Sequence, residues 1–404
     1  MALHGTQRRT IAISGGGIAG LTAALALQAK GFRAIVLERH EEMPHQGAGI
    51  QISPNALHIL DRLGVGRRVR EAATAPEAII IRDAYSGDEL TRFVLGERFT
   101  KRHGLPYLVI HRADLLQALL VECKNGSDID IRMGSQVRDC APHSNGVTLL
   151  AERAGEMQEL PAAALVGADG AWSTTRSFVE SARAPKATGY VAWRALIPMD
   201  RVPAGVDRSN TGLWLSPKAH LVHYPIRQGQ FLNIICVLRQ KPVGQPNRGW
   251  MKGQTDTPPL DVPKGWNDDL QNLLSQTMMW GGWPLNAAQR VTSMGQGPIA
   301  LMGDAAHAMV PFAAQGGACA IEDAAVLAQC FAQSADDLPR GVAAYSTARV
   351  KRANKVCDLA RKNGRIYHLQ GSLAQARNFV MGRMSQERLQ KRMDWLYGWR
   401  ESNS

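Results

Sequence analysis

The sequence feature that most constrains the fold is a glycine motif between a strand and a helix. Gly15-x-Gly17-x-x-Gly20 follows the β-branched run Thr10–Ser14 and opens residues 18–30, which have the Ala/Leu composition of a helix. In such a unit the first glycine allows a tight turn, the second lets the backbone approach a pyrophosphate, and the third lets the helix pack closely. The motif predicts an ADP-containing dinucleotide and does not distinguish FAD from NAD.

A second strand, predicted at 33–37, completes a βαβ unit and ends at Glu38. Glu38 follows Gly20 by eighteen residues, where a carboxylate can accept hydrogen bonds from ribose hydroxyls. The N–H groups at the start of the helix would bind the phosphates. The alternative is a glycine-rich turn in an unrelated α/β fold.

A second motif, Val166-Gly-Ala-Asp-Gly-Ala-Trp-Ser173, ends a predicted strand, and Arg176 follows it. In this motif Asp169 lies in a predicted turn between the strand and a helix. Taken alone, Asp169 is more simply interpreted as a helix cap than as a ligand-binding residue.

A third motif, Gly303-Asp304-Ala-Ala-His307, also follows a predicted strand. Asp304 could hold a sugar-like hydroxyl chain, whereas His307 alone is more simply a structural histidine. Gly316 and Gly317 then open a helix whose N-terminus can face an anionic group.

The remaining pattern predicts two architectures. Helices are predicted at 55–70, 111–123, 316–332 and from Pro339 almost to the end, and strands within 77–95 and at 129–131, 147–150, 162–166 and 299–302. Between about 189 and 284, short alternating segments at 191–197, 211–215, 220–224 and 231–238 predict an antiparallel sheet and a second domain. Residues 241–264, rich in proline and glycine, predict a loop.

Composition and charge narrow the function classes. The net charge of +12 is concentrated in the tail, since fourteen Lys/Arg and four Asp/Glu lie from Arg340 onwards. No basic cluster is interleaved with aromatic residues, so we expect no nucleic-acid partner. Solvated helix faces, or steering of an anionic ligand, would account for the tail.

The six cysteines include no C-x-x-C pair, which indicates neither a zinc site nor a disulfide framework and fits a cytoplasmic protein without metal. The uncharged stretch 11–29 contains three consecutive glycines near its start. We therefore expect neither a signal peptide nor a membrane span.

Together the three motifs resemble those of the single-component FAD-dependent aromatic hydroxylases, the class A flavoprotein monooxygenases. The resemblance covers roughly residues 8–365 and rests on the N-terminal glycines with Glu38-Arg39, on Gly167-Ala-Asp-Gly170 and on Gly303-Asp-Ala-Ala-His307. Gly189-Tyr-Val-Ala-Trp-Arg194 and His111-Arg-Ala-Asp-Leu115 are similar to the branch that contains salicylate hydroxylase, 3-hydroxybenzoate 6-hydroxylase and 6-hydroxynicotinate 3-monooxygenase.

The resemblance implies a mixed α/β fold: a Rossmann-like FAD-binding domain, an antiparallel-sheet substrate domain and a helical C-terminal region. The predicted FAD-binding domain comprises 8–76, 111–184 and 291–340, the substrate domain 77–110 and 185–290, and the basic helical region 341–404. The implied activity is NAD(P)H- and O₂-dependent hydroxylation of a small aromatic acid or phenol-like N-heterocycle through a flavin C4a-hydroperoxide. The protein would be a monomer or homodimer.

The resemblance also implies roles for individual residues. The cofactor-binding set is Gly15, Gly17 and Gly20 at the pyrophosphate, Glu38 at the adenosine ribose, Arg39 near the adenine, Arg112 near the phosphates and ribityl chain, Asp169 in an element linked to FAD and NAD(P)H, Asp304 at the ribityl chain, and Gly316 and Gly317 at the isoalloxazine. FAD is the implied cofactor, with NADH or NADPH as co-substrate.

A phenol-like substrate needs a base, because its phenolate is the better nucleophile and a phenol with a pKa of about 10 is mostly neutral at pH 7. His220 and Tyr224 share one face of a predicted strand while His223 points to the other, so His220 and Tyr224 are the predicted catalytic residues. The spacing resembles the pair in 6-hydroxynicotinate 3-monooxygenase, and sheet packing is the alternative. Phe312 follows Pro311, where many salicylate-type members have histidine.

Arg82 and Arg194 are candidates for binding a substrate carboxylate, although ion pairs at the surface or between domains are the simpler prediction. Another flavin oxidoreductase on this fold, such as an epoxidase or a reductase, is the alternative activity. A simple NAD-dependent dehydrogenase and a non-enzymatic nucleotide-binding or membrane-surface protein are the alternatives outside this group.

Overall fold

The computed structural model describes residues 9–43, 49–240, 251–255, 263–277 and 279–401. Its strands are β1 (Thr10–Ser14), β2 (Arg33–Glu38), β3 (Gly49–Ile52), β4 (Ala78–Asp83), β5 (Glu89–Val94), β6 (Leu108–His111), β7 (Ile129–Met133), β8 (Ser135–His143), β9 (Gly146–Arg153), β10 (Glu156–Ala162), β11 (Ala164–Gly167), β12 (Lys186–Pro198), β13 (Thr211–Leu215), β14 (Ala219–Ile226), β15 (Phe231–Arg239), β16 (Met251–Thr255), β17 (Trp280–Ala287), β18 (Gly295–Gln296) and β19 (Ile299–Leu301).

The helices among the described residues are α1 (Ile18–Gln28), α2 (Pro54–Arg62), α3 (Gly66–Ala72), α4 (Glu97–His103), α5 (Arg112–Asn125), α6 (Asp268–Ser275), α7 (Asp304–His307), α8 (Gly316–Gln333), α9 (Leu338–Tyr367), α10 (Gly371–Gly382) and α11 (Gln386–Tyr397). The N-terminal βαβ unit is confirmed.

A six-stranded sheet built around β1 brings the three motifs together. Its strand order is β18-β19-β11-β1-β2-β7, and every neighbouring pair except β18·β19 is parallel. Since β2 and β11 flank β1, the chain crosses over in opposite directions from the central strand, and ligands bind outside the carboxyl ends at such a switch point. Gly15, Glu38, Gly167 and Gly303 all lie at that edge.

Two layers cover this sheet. On one face α1 packs against α5 and α8, with buried Leu21, Leu119 and Ile321 in one apolar cluster. On the other face the antiparallel meander β10-β9-β8 buries Val147 and Leu149 in a second cluster. The result is the three-layer arrangement expected of a sheet that is apolar on both faces.

The second sheet has eight strands in the order β16-β17-β12-β15-β14-β13-β4-β5. Its strand pairs are antiparallel, as predicted, except that β13 pairs parallel to β4. Between β4 and β13 the chain forms β7 and β11 of the six-stranded sheet before it returns to the second sheet. Its outer face packs Trp214, Trp266 and Trp280 with α6. Its inner face points toward α9 and the loop before α8.

Two predicted elements need correction. The single helix predicted at 55–70 is two helices, α2 and α3, since Gly64 adopts φ +78° between them, a left-handed conformation that glycine favours. The loop predicted at 241–264 contains the strand β16, which pairs with β17. The rest of that prediction, at 241–250 and 256–262, lies outside the described residues.

The C-terminal helices extend from the first domain to the second sheet. Asp337 caps α9, accepting a hydrogen bond from the Arg340 N–H. The prediction of solvated basic faces is incomplete, because Arg349 and Arg377 are buried. Among the described residues, no helix combines the length and apolarity that crossing a membrane requires.

Candidate active site

The glycine loop after β1 is held open by Glu38. Gly15 adopts φ +104°, and its N–H donates to the Leu37 carbonyl at 2.8 Å. The Glu38 carboxylate accepts the Gly16 N–H at 2.7 Å and the His40 N–H at 3.0 Å, so it fixes the loop from the end of β2. A Cβ at Gly20 would overlap the Gly15 carbonyl oxygen, which explains the third glycine.

The second glycine borders open space. Among the described residues, a Cβ at Gly17 would meet no atom within 4 Å, and Gly17, the N-cap of α1, offers no side-chain cap. The first N–H groups of a helix lack intrahelical partners and carry partial positive charge. The loop therefore fits a pyrophosphate, which would fill the space and accept these hydrogen bonds.

Arg112 and Asp304 face an interior cleft beside this loop. Both lie deep among protein atoms and yet keep solvent-accessible surface. Burial lowers the pKa of Arg112, which feels the charges of Asp304 and Glu38. Burial raises the pKa of Asp304 although His307, Arg112 and Arg176 oppose the shift. An accessible carboxyl in such a cleft suits a polyhydroxyl chain such as the ribityl of FAD.

The second motif is tied to the third by Arg176. Asp169 accepts hydrogen bonds from the N–H groups of Thr174 and Thr175 at 2.9 and 3.0 Å, which agrees with its interpretation as a cap. Its other oxygen, Oδ1, is buried without a hydrogen-bond partner in the described part of the chain. Arg176 donates to the carbonyls of Ala305 and Asp304 at 2.8 and 2.9 Å, which joins the two strand ends.

Gly316 and Gly317 begin the 18-residue α8. Gln315, which precedes them, donates to the Ser53 hydroxyl at 2.9 Å and accepts from Asn55 at 3.1 Å. A Cβ at Gly317 would come within 2.7 Å of the Ile50 side chain, so glycine lets β3 approach the helix start. Arg39 is exposed, and its Nε donates to Nε2 of His40 at 3.3 Å.

A buried ionic network lies behind the third motif. His307 Nε2 is 2.6 Å from Asp323 Oδ2, and Arg349 donates to Asp323 Oδ1 at 2.7 Å and pairs with Glu322 at 2.9 Å. Burial raises the pKa of Asp323, but His307 and Arg349 bring it down to about 2. His307, Cys319 and Asp323 offer ligand atoms within 4.8 Å of one another, yet Arg349 already supplies the cation. The structural interpretation of His307 is supported.

We expect Arg349→Met to destabilise the protein by about 3–5 kcal/mol, since the buried Asp323 would keep only His307 as a partner, while Glu322 would keep Arg352. Chemical denaturation measures this. Arg361→Met, at a half-exposed pair with Asp358, is the matched control and should change the free energy of unfolding by less than about 1 kcal/mol. Equal effects of the two substitutions would contradict the assignment.

The predicted pair, His220 and Tyr224, lies on the inner face of the second sheet. Their directly opposed partners are Val237 and Asn233 of β15. His223 points to the outer face, with its ring 6.3 Å from that of Trp214. The side-chain directions predicted from strand alternation are therefore correct.

His220 belongs to a chain of hydrogen bonds that the sequence did not reveal. Its Nδ1 lies 3.0 Å from Nε2 of His368, whose Nδ1 lies 3.2 Å from the Tyr190 hydroxyl. Burial, followed by the effect of His368, lowers the pKa of His220 well below its usual value, so the imidazole is neutral at pH 7. The Phe312 ring is centred 4.9 Å from that of His220, which places this chain beside the loop leading to Gly316.

Tyr224 and Asn233 connect the second sheet to β3, since both side chains lie next to Gly49. The Asn233 side chain accepts the Gly49 N–H at 2.8 Å, and a Cβ at Gly49 would meet the Tyr224 ring. Burial raises the pKa of Tyr224 although Arg194 opposes the shift. Asn233 was missed, and its only sequence signal is one polar residue in an apolar strand.

The two arginines differ from each other. Arg82 lies 3.8 Å from Glu89 and stacks on Trp214 on the outer face, which confirms the predicted ion pair. For Arg194 that prediction is wrong: among the described residues no carboxylate pairs with it, and its guanidinium stacks at 3.5 Å on the Trp283 ring.

Comparison with known proteins supports a site for FAD in this chain. Residues 8–360 match the model of the FAD binding domain family. The chain belongs to this family. It is 32% identical to the 3-hydroxybenzoate 6-hydroxylase of Klebsiella oxytoca, over 97% of each chain, and 30% identical to the 6-hydroxynicotinate 3-monooxygenase of Pseudomonas fluorescens, over 89% of this chain and 92% of the relative.

Among solved structures, Klebsiella pneumoniae HpxO in complex with FAD and uric acid superposes with a TM-score of 0.81 at 26% identity, covering 95% of both chains. The expected fold class is confirmed, as is the prediction of an FAD-dependent monooxygenase. The enzyme is therefore FAD-dependent, and the cleft at the switch point is its candidate FAD site.

Proposed function

We propose that the protein hydroxylates a small aromatic acid or phenol-like N-heterocycle, with His220 as the base that ionises the ring hydroxyl. Each turnover would consume one O₂ and one NAD(P)H, placing one oxygen atom on the ring and releasing the other as water. The observation that carries the proposal is the buried neutral His220, hydrogen bonded outward to His368 and packed beside the loop that leads to α8.

The cofactor residues would act at successive points along FAD. The Gly15–Gly20 loop and the α1 N-terminus would bind the pyrophosphate, Glu38 the adenosine ribose, and Arg112 and Asp304 the phosphates and the ribityl chain. Arg39 would lie near the adenine, Asp169 would support the cleft, and Gly316 and Gly317 would direct N–H groups at the isoalloxazine. When bound, FAD accepts two electrons from the nicotinamide and activates O₂.

Hydrogen-bond direction makes His220 a base. If Nδ1–H of His220 donates to His368 and Nδ1–H of His368 donates to the Tyr190 oxygen, then Nε2 of His220 keeps a lone pair for the substrate proton. A proton taken up at Nε2 is matched by one passed from Nδ1 to His368. Since His368 and Tyr190 are less buried than His220, the chain leads the proton toward solvent.

Tyr224 would position the ring. Tyr224, Val222 and His220 are alternate residues of β14, so their side chains lie on the same face of the sheet. The raised pKa of Tyr224 keeps its phenol protonated, so that it can donate a hydrogen bond. The buried Phe312 and Val237 and the partly buried Tyr367 around His220 would exclude water, which favours transfer of oxygen to the ring.

The names of the two relatives support the substrate class. One acts on 3-hydroxybenzoate and the other on 6-hydroxynicotinate, both of which carry a ring hydroxyl or its tautomer and a carboxylate. Transfer of that class to this chain agrees with a sheet face that holds His220 and Arg194, an arginine that no carboxylate of the described residues pairs with.

The pH dependence provides a test of the base. Because the pKa of His220 is lowered, its neutral form persists through neutral pH, and the acidic limb of kcat/KM should lie below pH 6.5. His368→Ala removes a group that lowers this pKa, so the limb should move to higher pH. An unchanged limb in this variant, compared with wild type, would exclude the coupling of the two imidazoles.

The function itself is tested by a substrate screen. Hydroxybenzoates, hydroxynicotinates and simple phenols are each added to the holoenzyme with NADH and with NADPH, and product mass is measured. We expect at least one compound to stimulate nicotinamide oxidation and to gain 16 mass units in equimolar yield, as addition of one oxygen atom requires. Nicotinamide oxidation without any hydroxylated product would support the alternative of a reductase, and an epoxide product the alternative of an epoxidase.

A further inference from the structure

Helix α10 turns its polar side inward. The side chains that face the rest of the protein are spaced as one helical face, namely Ala374, Arg377, Asn378 and Met381. The buried Arg377 donates to two carbonyls at the end of α9 at 3.1 and 2.9 Å, and Asn378 donates to Asp83 at 3.3 Å. A surface helix of a globular protein normally buries its apolar face, so α10 is reversed.

The outward face of α10 is apolar. Leu373, Phe379 and Val380 leave 63, 60 and 56% of their surface exposed, which makes them the three most exposed large apolar side chains of the described residues. The small Ala376 lies between them on the same side of the helix. These four residues form the apolar stripe of α10. A contiguous exposed patch of this kind marks an interaction site, whereas single exposed apolar residues do not.

The border of the apolar stripe is cationic. The Arg383 guanidinium stacks on the Phe379 ring at 3.5 Å. Arg392 of α11 donates to the Met384 sulfur at 3.6 Å, just beyond the end of α10. Arg383, Arg388 and Arg392 are exposed, and among the described residues no carboxylate forms an ion pair with them. These three arginines form a basic border beside the apolar stripe.

Acidic side chains are kept away from this face. Residues 359–386 contain five Lys/Arg and neither Asp nor Glu. The two acids of α11, Asp394 and Glu387, act on Arg102 of α4, since the hydrogen bond to Asp394 and then the charge of Glu387 raise the pKa of that guanidinium. The face therefore suits a partner that combines an apolar layer with negative charge.

The size of the apolar stripe argues against a protein partner. A stable protein interface buries about 800 Å² per partner and takes about 20–30 residues a side, more than one 12-residue helix presents. A second copy of this chain would also bring like charges together, because Arg383 would meet either Arg383 or the positive start of α10 in the other copy. A lipid surface needs no such matching area and supplies both the apolar layer and the anions.

We propose that α10 docks the enzyme on an anionic phospholipid bilayer. The apolar stripe would lie beneath the headgroups, and the basic border would lie against the phosphates. An amphipathic helix that lies in the plane of a membrane buries its apolar face about 5–10 Å deep, at the boundary of headgroups and acyl chains. Negative lipids then attract the nearby Lys and Arg side chains, over a range set by the ionic strength.

The experiment sediments the holoenzyme with vesicles of phosphatidylcholine alone, or of phosphatidylcholine with an equal amount of phosphatidylglycerol. Protein and flavin are measured in the pellet. The double variant Leu373→Ser, Phe379→Ser removes the apolar stripe, and Arg383→Gln removes one charge of the border. Met157→Ser, at an exposed methionine of β10, and Lys30→Gln, at an exposed lysine after α1, are the matched controls.

We expect wild type to sediment with the phosphatidylglycerol vesicles and not with phosphatidylcholine alone, and to bind more weakly as salt is added. The double variant should bind about 100-fold more weakly, because two large apolar side chains no longer leave water. Arg383→Gln should bind about five-fold more weakly. Both control variants should bind like wild type, and every variant should keep its flavin and its melting temperature, since all the changed side chains are exposed.

Two lipid results would overturn the proposal: wild type that does not sediment with the anionic vesicles, and binding that the double variant and Met157→Ser weaken equally. The oligomeric state is measured without lipid by sedimentation velocity. A wild-type dimer that the double variant converts to a monomer would assign the apolar stripe to a second copy of the chain, and this result would also overturn the proposal.

Discussion

Gly17→Val should produce a folded protein that does not retain FAD. A Cβ at this position meets no atom of the described residues within 4 Å, so this part of the fold has room for it. The same space is where the pyrophosphate would lie, and a valine there would separate the phosphates from the N–H groups of α1. Loss of two such hydrogen bonds at about 1.5–3 kcal/mol each weakens binding by at least about 100-fold.

The measurement is the flavin-to-protein ratio after gel filtration, with FAD-stripped wild type as the control for folding. The variant and the stripped wild type should have similar melting temperatures and circular dichroism. A variant that retains one flavin per chain would contradict the placement of the pyrophosphate. Gly20→Val is a useful contrast, since its side chain would overlap the Gly15 carbonyl and should impair folding itself.

His220→Ala should lower kcat by about 10²–10⁴-fold, the usual contribution of a positioned general base, while FAD stays bound. The reason is that no other imidazole in the described residues shares the inner sheet face with Tyr224 and bonds outward to His368. The activity of the variant should recover partly at high pH, where the substrate hydroxyl ionises without help. Turnover per bound flavin, measured from pH 6 to 10, tests both expectations.

His223→Ala is the matched control, because it removes a buried imidazole from the same strand on the opposite face. We expect little change in kcat per flavin for this variant. Unaltered product formation by His220→Ala would remove His220 from the mechanism and leave it as a packing residue.

The glycine motifs predicted the local backbone of the candidate cofactor site, because their requirements are local, while the roles of its residues stay predictions. A tight turn at Gly15, an open helix start at Gly17 and a close approach at Gly20 each require glycine, and the spacing of these glycines can be recognised in the sequence. Parallel strands then bring Gly15, Gly167 and Gly303 to one edge without further information. The domain boundaries predicted from the same pattern stay predictions.

The substrate half was predicted only in part, because its contacts are long-range. Strand alternation gave the face of His220 and Tyr224, yet nothing local indicates that His368, at the end of a 30-residue helix, bonds to a residue 148 positions earlier. Arg194 could not be distinguished from Arg82 by sequence, since both occupy strands. Only the packed structure shows that one meets Glu89 and the other meets no carboxylate among the described residues.

We propose that three distant strand ends form one FAD site, which transfers oxygen to an aromatic ring held next to His220. The most direct test supplies the holoenzyme with ¹⁸O₂, NAD(P)H and a compound from the screen that stimulates turnover. We expect one ¹⁸O atom in the new ring hydroxyl for each nicotinamide oxidised. Product oxygen derived from water, or reduction of O₂ to hydrogen peroxide with the ring unchanged for every compound, would contradict it.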